Sequence, residues 1–276
     1  MTHASLHDRT ILVTGATEGI GKATAAELSR RGARVLLLGR NPQKLAAAAQ
    51  EVGAAATYRA DLSELGQVAL TAGEILRAEP RIDVLINNAG GIFDPRQETR
   101  EGVEMTWALN VLSPFLLTRE LLPALRASPA PRVITVASDA HRMARLNLSD
   151  PEYKRNYWAW PAYNASKLAN ILFARELARR EGWLTSASLH PGVVRSGFNA
   201  NNGSLQAALW KVMDLFAISP GEGAQTSIFL ASAPQLHSGG YWTRCQPAKL
   251  APAALDDGLA LDLWETCGDY LRRLGL

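Results

Sequence analysis

Only two cysteines, Cys245 and Cys267, occur in 276 residues, too few for a disulfide framework and without zinc-ligand spacing. A reducing compartment is the plain reading. Long hydrophobic runs are missing as well. The first apolar stretch, Ile11 to Val13, is far too short for a signal core or a membrane span, and Met1 to Arg9 is polar. A cytoplasmic chain with no membrane span is therefore expected. Charge of one sign is scarce: 29 basic against 26 acidic side chains leave +3, scattered from end to end, which speaks against a nucleic-acid partner. His141 and His190 have no partner at metal-ligand spacing, so no metal centre is expected. No Gly/Ser/Pro linker, repeat or low-complexity tract divides the chain, and residues 1–276 read as one domain.

What is present is an alternation of short apolar runs with longer segments of helical period. Strands are expected at Ile11 to Thr14, Arg34 to Leu38, Ala55 to Arg59, Asp83 to Asn87, Arg132 to Ala137 and Ala187 to His190. Helices are expected at Gly19 to Arg31, Pro42 to Glu51, Ser63 to Ala78, Glu101 to Leu125 and Ala162 to Glu181. Parallel strands need helical crossovers, so the fold class is α/β: a doubly wound, Rossmann-type parallel sheet of about seven strands with helices on both faces. One region breaks the rhythm. Polar Phe198 to Ser204 precedes Leu205, Ala208, Leu209, Val212, Met213 and Phe216 at helical spacing. Residues 196–219 fit a cover over a substrate cleft, and an ordinary packing helix would show the same stripe.

Directly after the first strand stands Thr14-Gly15-Ala16-Thr17-Glu18-Gly19-Ile20-Gly21. Glycines there let the backbone turn and approach a ligand, and the amides at the following helix start suit a pyrophosphate. Gly15, Thr17, Glu18, Gly19, Ile20 and Gly21 are thus candidate cofactor contacts; a tight βα turn without ligand is the plainer alternative. At the end of the second strand, Leu38-Gly39-Arg40-Asn41 offers no carboxylate for a ribose 2′-hydroxyl. Arg40 can fork onto a 2′-phosphate instead, favouring NADP(H) with NAD(H) as the alternative. A solvated surface arginine would look identical, and Glu18 argues mildly the other way.

Tyr163, alone among the six tyrosines, has a lysine four residues later, Lys167, on the same helical face. Ser138 ends the strand Val133 to Ala137 at the sheet edge where ligands bind. A tyrosine titrates near 10, and a neighbouring ammonium favours its phenolate, so Tyr163 suits proton exchange with a substrate oxygen.

These marks together, with Asp61-Leu62, Asn87-Asn88-Ala89-Gly90, Asn110 and Pro191-Gly192, resemble the non-extended short-chain dehydrogenase/reductase family along nearly the whole chain. Within it, Ser138-Asp139-Ala140-His141, Ser166-Lys167-Leu168-Ala169-Asn170 and Glu222-Gly223-Ala224-Gln225-Thr226 are similar to the retinol-dehydrogenase-like and WW-domain-oxidoreductase-like branch. The resemblance implies that Asp61 and Leu62 contact the adenine, and that Asn88, Ala89 and Gly90 line the cofactor. It implies that Asn110 holds a water of a proton relay, Ser138 bonds the substrate oxygen, Tyr163 exchanges the proton and Lys167 grips the nicotinamide ribose. Pro191, Gly192 and Val194 would run beside the nicotinamide, with Ser196 at its carboxamide where the family often has threonine. Singly, Asp61 could be a helix-cap neighbour, Asn87-Asn88 a strand-ending turn and Asn110 a mid-helix kink. The family's membrane-bound retinol enzymes carry an N-terminal anchor for which this chain has no room, a departure that speaks against retinoid substrates.

Tyr153, Tyr157, Trp158 and Trp160 lie between Ser138 and Tyr163, and Phe198, Trp210, Met213 and Phe216 follow later. If they converge on the cleft, the small-molecule substrate is an apolar carbonyl compound or alcohol; packing of the insert is the other reading. The expected activity is hydride exchange between NADP(H) and a lipophilic aldehyde, ketone or alcohol. A non-catalytic NADP(H) sensor on the same fold is the alternative, and an extended-type epimerase fits the short C-terminal region poorly. The resemblance also implies a homodimer or homotetramer, paired through the helices near Glu101 to Leu125 and Ala162 to Glu181.

Overall fold

The computed structural model describes residues 6–192 and 218–276. The strands β1 (Thr10–Thr14), β2 (Arg34–Gly39), β3 (Ala56–Arg59), β4 (Val84–Asn87), β5 (Arg132–Val136), β6 (Thr185–His190) and β7 (Gly240–Thr243) pair in parallel. The two-residue strand β8 (Gln246–Pro247) returns antiparallel to β7. The order across the single sheet is β3-β2-β1-β4-β5-β6-β7-β8. Seven parallel strands match the expectation; the short eighth adds an antiparallel edge. Every residue of β1, β4 and β5 is buried, as a strand covered on both faces requires, whereas the edge strand β3 alternates along its length.

The helices are α1 (Gly19–Arg30), α2 (Pro42–Val52), α3 (Leu65–Ala78), the single turn α4 (Met105–Trp107), α5 (Ser113–Arg126), α6 (Ala159–Arg180), α7 (Pro220–Ser232) and α8 (Asp257–Arg273). Leu28 of α1, Leu45 of α2 and Ile228 of α7 pack with Ile11, Val13 and Ile134 on one face of the sheet. On the other, Val68, Phe115, Leu172 and Leu263 from α3, α5, α6 and α8 pack with Leu12, Leu85 and Val133. Local chemistry fixes several ends. Asn41 accepts the Lys44 amide and Pro42 opens α2, which stops at Gly53 with φ +68°. Ser219 and Glu222 form a reciprocal cap at α7, behind Pro220.

The chain runs from β1 outward to β3, then returns to β4 on the other side of β1. The crossovers thus diverge between β1 and β4, and a crevice opens at the carboxyl ends of the central strands. Helix starts differ from expectation: Met105 rather than Glu101, and Ala159 rather than Ala162. The expected cleft cover lies outside the described residues except for 218–219, as do Phe198, Trp210, Met213 and Phe216. Among the described residues no helix is long and apolar enough to cross a membrane.

Candidate active site

At the nucleotide end of the crevice, Gly15 and Gly19 take φ +63° and +56°, conformations that disfavour any side chain. Gly21 is closed for another reason: a Cβ there would lie 2.3 Å from the Gly15 carbonyl oxygen and 2.5 Å from Asn88 Nδ2. Asn88 Nδ2 donates to the Thr14 carbonyl at 2.8 Å, and the Thr14 hydroxyl accepts the amides of Asn88 and Ala89, each at 3.0 Å. The ends of β1 and β4 are thereby latched together across the switch point. α1 begins beyond this loop without a side-chain cap from Glu18, which leaves its first-turn amides without that partner. These residues fit a dinucleotide pyrophosphate: backbone donors at a helix start, and no Cβ to obstruct it.

Around the expected adenine end, Arg40 is exposed and 3.8 Å from Asp61 Oδ2. Asp61 Oδ1 accepts the Ser63 amide and hydroxyl, so the carboxylate also shapes the turn into α3. Leu62 is buried in the core. Thr17 packs against Gly39, and Glu18 is paired with Lys44 at 2.7 Å. That pairing, 26 residues apart, sets a cation beside the Glu18 carboxylate.

Asn110 lies in a π turn, Ala108–Leu112, between α4 and α5. Pro114 explains part of this, because it has no N–H to give the Asn110 carbonyl in an α-helical pattern. The Asn110 carboxamide accepts the Gly91 amide at 2.8 Å and donates to the Gly91 carbonyl and to Ser166 Oγ, each at 2.9 Å. Ser166 in turn donates to the Tyr163 carbonyl at 2.7 Å. A Cβ on Gly90 would stand 3.2 Å from Asn110 Oδ1 and 3.4 Å from Lys167 Nζ, so the segment after β4 touches both. The kink expected as one alternative for Asn110 is present, and the same residue is bonded to Ser166 of α6.

The structure brings Ser138, Tyr163 and Lys167 together. The Ser138 side chain lies close enough to the Tyr163 phenol to act on its proton. Burial pushes that phenol up to about 12, and the Ser138 hydroxyl works in the other direction. Lys167 is buried, donates from Nζ to the Val136 carbonyl at 3.0 Å and sits 5.5 Å from the centre of the Tyr163 ring. Burial pulls its ammonium down to about 8. The Ser138 hydroxyl also accepts the Ala140 amide at 3.1 Å, which starts a short 3-10 turn, Asp139–Met143. Trp160 stands edge-on to Tyr163, centroids 6.0 Å apart, while Met143 and Trp158 are exposed at 73% and 72%.

Pro191 and Gly192 follow β6, and Gly192 at φ +94° brings its α-carbon against Ile218. Val194 and Ser196 lie outside the described residues. Tyr157 turns away from substrate duty: its hydroxyl donates to the Phe93 carbonyl at 2.6 Å and to Glu104 at 3.1 Å. Glu104 caps α4 through the Thr106 and Trp107 amides, so Tyr157 ties the insert to the helix that carries Asn110. Tyr153 likewise bonds the Arg145 and Pro161 carbonyls, holding the insert closed on itself. Sequence reasoning missed Lys44 and the Tyr157–Glu104 tie, and quoted Thr14 and Ser166 only as members of motifs, without the hydrogen bonds they make.

The family model described as short chain dehydrogenase matches residues 9–206. Human retinol dehydrogenase 14 is 40% identical over 94% of this chain and 85% of its own length. A Streptomyces sp. (strain C5) protein provisionally named daunorubicin C-13 ketoreductase DnrU is 40% identical over 95% of this chain and 92% of its own. A crystallised protein from Mycobacterium paratuberculosis superposes with TM-score 0.81 at 33% identity, covering 97% of this chain and 95% of that one. A protein described as a short chain dehydrogenase from Shigella flexneri 2a strain 301, solved in complex with NADP, gives TM-score 0.64 at 26% identity over 84% and 94%. The chain belongs to the short-chain dehydrogenase/reductase family of oxidoreductases.

Proposed function

We propose that the chain is an NADP(H)-preferring reductase or alcohol dehydrogenase of lipophilic aldehydes, ketones or alcohols, with Tyr163 exchanging the proton. The observation that carries this reading is the buried Lys167 ammonium, bonded to Val136 beside Ser138 and 5.5 Å from the centre of the Tyr163 ring, with the Ser138 side chain close enough to lower the phenol. Bound NADP(H) would supply or take the hydride. Tyr163, held protonated at neutral pH by burial, gives its proton to the oxygen of a carbonyl as negative charge gathers there. Ser138 orients that oxygen. Lys167 has spent one of three N–H donors on Val136; the other two are available to the nicotinamide ribose, and its charge favours the phenolate left behind.

Along the cofactor, the loop Gly15 to Gly21 would take the pyrophosphate, Asp61 and Leu62 the adenine edge, and Asn88, Ala89 and Gly90 the neighbouring ribose. Pro191 and Gly192 would flank the nicotinamide. Preference for NADP(H) rests on exposed Arg40, with no carboxylate at the end of β2 and Glu18 neutralised by Lys44. The NADP complex of a structural neighbour is in keeping with it. An apolar substrate is supported by Met143 and Trp158, large side chains left exposed on the segments that leave Ser138 and enter α6, and by the Trp160 ring against Tyr163. Two relatives' names point the same way, one to retinol and one to the C-13 ketone of daunorubicin.

The test is absorbance at the reduced-nicotinamide band with a panel of polar and apolar carbonyls. Wild type is expected to turn over apolar members with NADPH, and Tyr163→Phe to lose about 100-fold or more in kcat. Equal, slow rates for both proteins across the panel would overturn the enzyme reading.

A further inference from the structure

The turn that carries Ser138 is bolted from below by a buried histidine. His141 Nδ1 lies 2.7 Å from the Ser138 carbonyl oxygen, and His141 Nε2 lies 3.3 Å from the Ala251 amide, 110 residues further along the chain. A carbonyl only accepts and an amide N–H only donates, so the ring is neutral with its proton on Nδ1. Its surroundings leave little freedom. The ring is buried, Tyr241 of β7 packs edge-on with centroids 5.1 Å apart, and the Tyr241 hydroxyl donates to Asp139 at 3.0 Å. Arg142, next in the same turn, donates to the Lys249 carbonyl at 2.6 Å, so the segment around Ala251 is held to this turn twice.

We propose that His141 is a positioning residue for the reaction, fixing the Ser138 backbone through Nδ1–H so that the Ser138 hydroxyl stays aimed at Tyr163 and the substrate oxygen. This rests on the reading of Ser138 as the group that orients that oxygen. The hydroxyl already accepts the Ala140 amide, and it reaches Tyr163 only with the main chain of Ser138 to Ala140 in its present turn. The Ser138 carbonyl also accepts the His141 amide at 3.2 Å, and among the described residues His141 Nδ1 is the one side-chain group on it. A misplacement of about 1 Å at a reacting group costs on the order of 100-fold in rate.

The experiment separates the two ring nitrogens. In His141→Asn the amide nitrogen falls where Nδ1 was and keeps the bond to the Ser138 carbonyl; in His141→Gln the side chain reaches Ala251 instead and loses Ser138. His141→Leu removes both, and Ser138→Ala is made alongside. With NADPH and an apolar carbonyl that wild type turns over, the Asn variant is expected within about 3-fold of wild-type kcat, and the Gln and Leu variants to lose about 10- to 100-fold. NADPH affinity, read by fluorescence titration, and substrate KM should move by less than about 2-fold in all three, a split that loss of folded protein would not produce. Should the Leu variant fail to fold, the Asn and Gln variants, both polar and similar in volume, carry the comparison. An Asn variant no better than the Gln variant overturns the inference, whether both are active or both inactive. If Ser138→Ala keeps full kcat, the reading of Ser138 itself falls; if Ser138→Ala collapses while His141→Gln does not, only the role of His141 falls.

Discussion

Lys167 donates from Nζ to the carbonyl of Val136, two residues before Ser138, so the buried charge of α6 is anchored on the strand that leads into the serine. The anchor holds a buried cation. Its ordinary value is 10.5 and burial brings it to about 8, so the unfolded chain binds the proton more tightly than the folded one. The penalty is present in full below about pH 8 and relieved as pH rises from there toward 10.5.

At pH 7 that penalty is on the order of 3 kcal/mol, against ~1 kcal/mol from the bond to Val136. Lys167→Met is therefore expected to unfold in urea about 1–2 kcal/mol later than wild type at pH 7 while losing turnover. The advantage should shrink between pH 7 and 9.5. A variant less stable than wild type at both pH values would contradict the assignment of a costly charge at this site.

Glycines of the same sequence type part ways by environment. Gly21→Ala drives a methyl into the Gly15 carbonyl and the Asn88 amide, breaking the latch between β1 and β4. We expect a loss of at least about 2 kcal/mol and no measurable NADPH binding. In the middle of α3, Gly73 has only the tip of Arg77 at 3.5 Å, so Gly73→Ala should gain ~0.5–1 kcal/mol with unchanged kinetics. Thermal melts and cofactor titrations of the two variants together check both signs.

Cofactor preference is a question about one exposed guanidinium. Arg40→Ser leaves Asp61 without its cation and removes the fork for a 2′-phosphate. The KM for NADPH should rise about 10- to 100-fold while that for NADH changes by less than about 3-fold. Lys44→Ala unmasks Glu18 at the glycine loop and should weaken both cofactors, NADPH the more. Equal changes for the two cofactors in Arg40→Ser would remove the 2′-phosphate from the argument.

What could be read without coordinates was chemistry that demands particular residues at short spacing. Glycines between strand and helix, a Tyr and a Lys one turn apart, and a Ser at a strand end all need only local geometry to be recognised. Long-range ties left no such trace: His141 to Ala251, Lys44 to Glu18 and Tyr157 to Glu104 join positions whose separations obey no period. The strands β7 and β8 are too short for periodicity, and their burial depends on β6 and on the helices beside it. α7 opens on Pro220-Gly221, which reads as a turn until the Ser219–Glu222 cap is seen. The π turn at Asn110 had a legible sign in Pro114, since a missing N–H four residues on interrupts an α-helix whatever the tertiary context.

Asn110 tests how far a family mark is structural. Its carboxamide satisfies both polar groups of half-buried Gly91 and the hydroxyl of Ser166, with Asn110, Ser166 and Lys167 themselves buried. Asn110→Ala leaves the Gly91 amide and carbonyl without their partner and opens space under Lys167, so a stability loss of about 2–4 kcal/mol is expected from the unpaired groups alone. Ser166→Ala removes only the far end of the chain and should cost about 1 kcal/mol. Urea unfolding of both, compared with kcat on the folded fraction, separates scaffold from chemistry. If Asn110→Ala is as stable as wild type yet inactive, the clamp on Gly91 is incidental and the residue acts in the reaction alone.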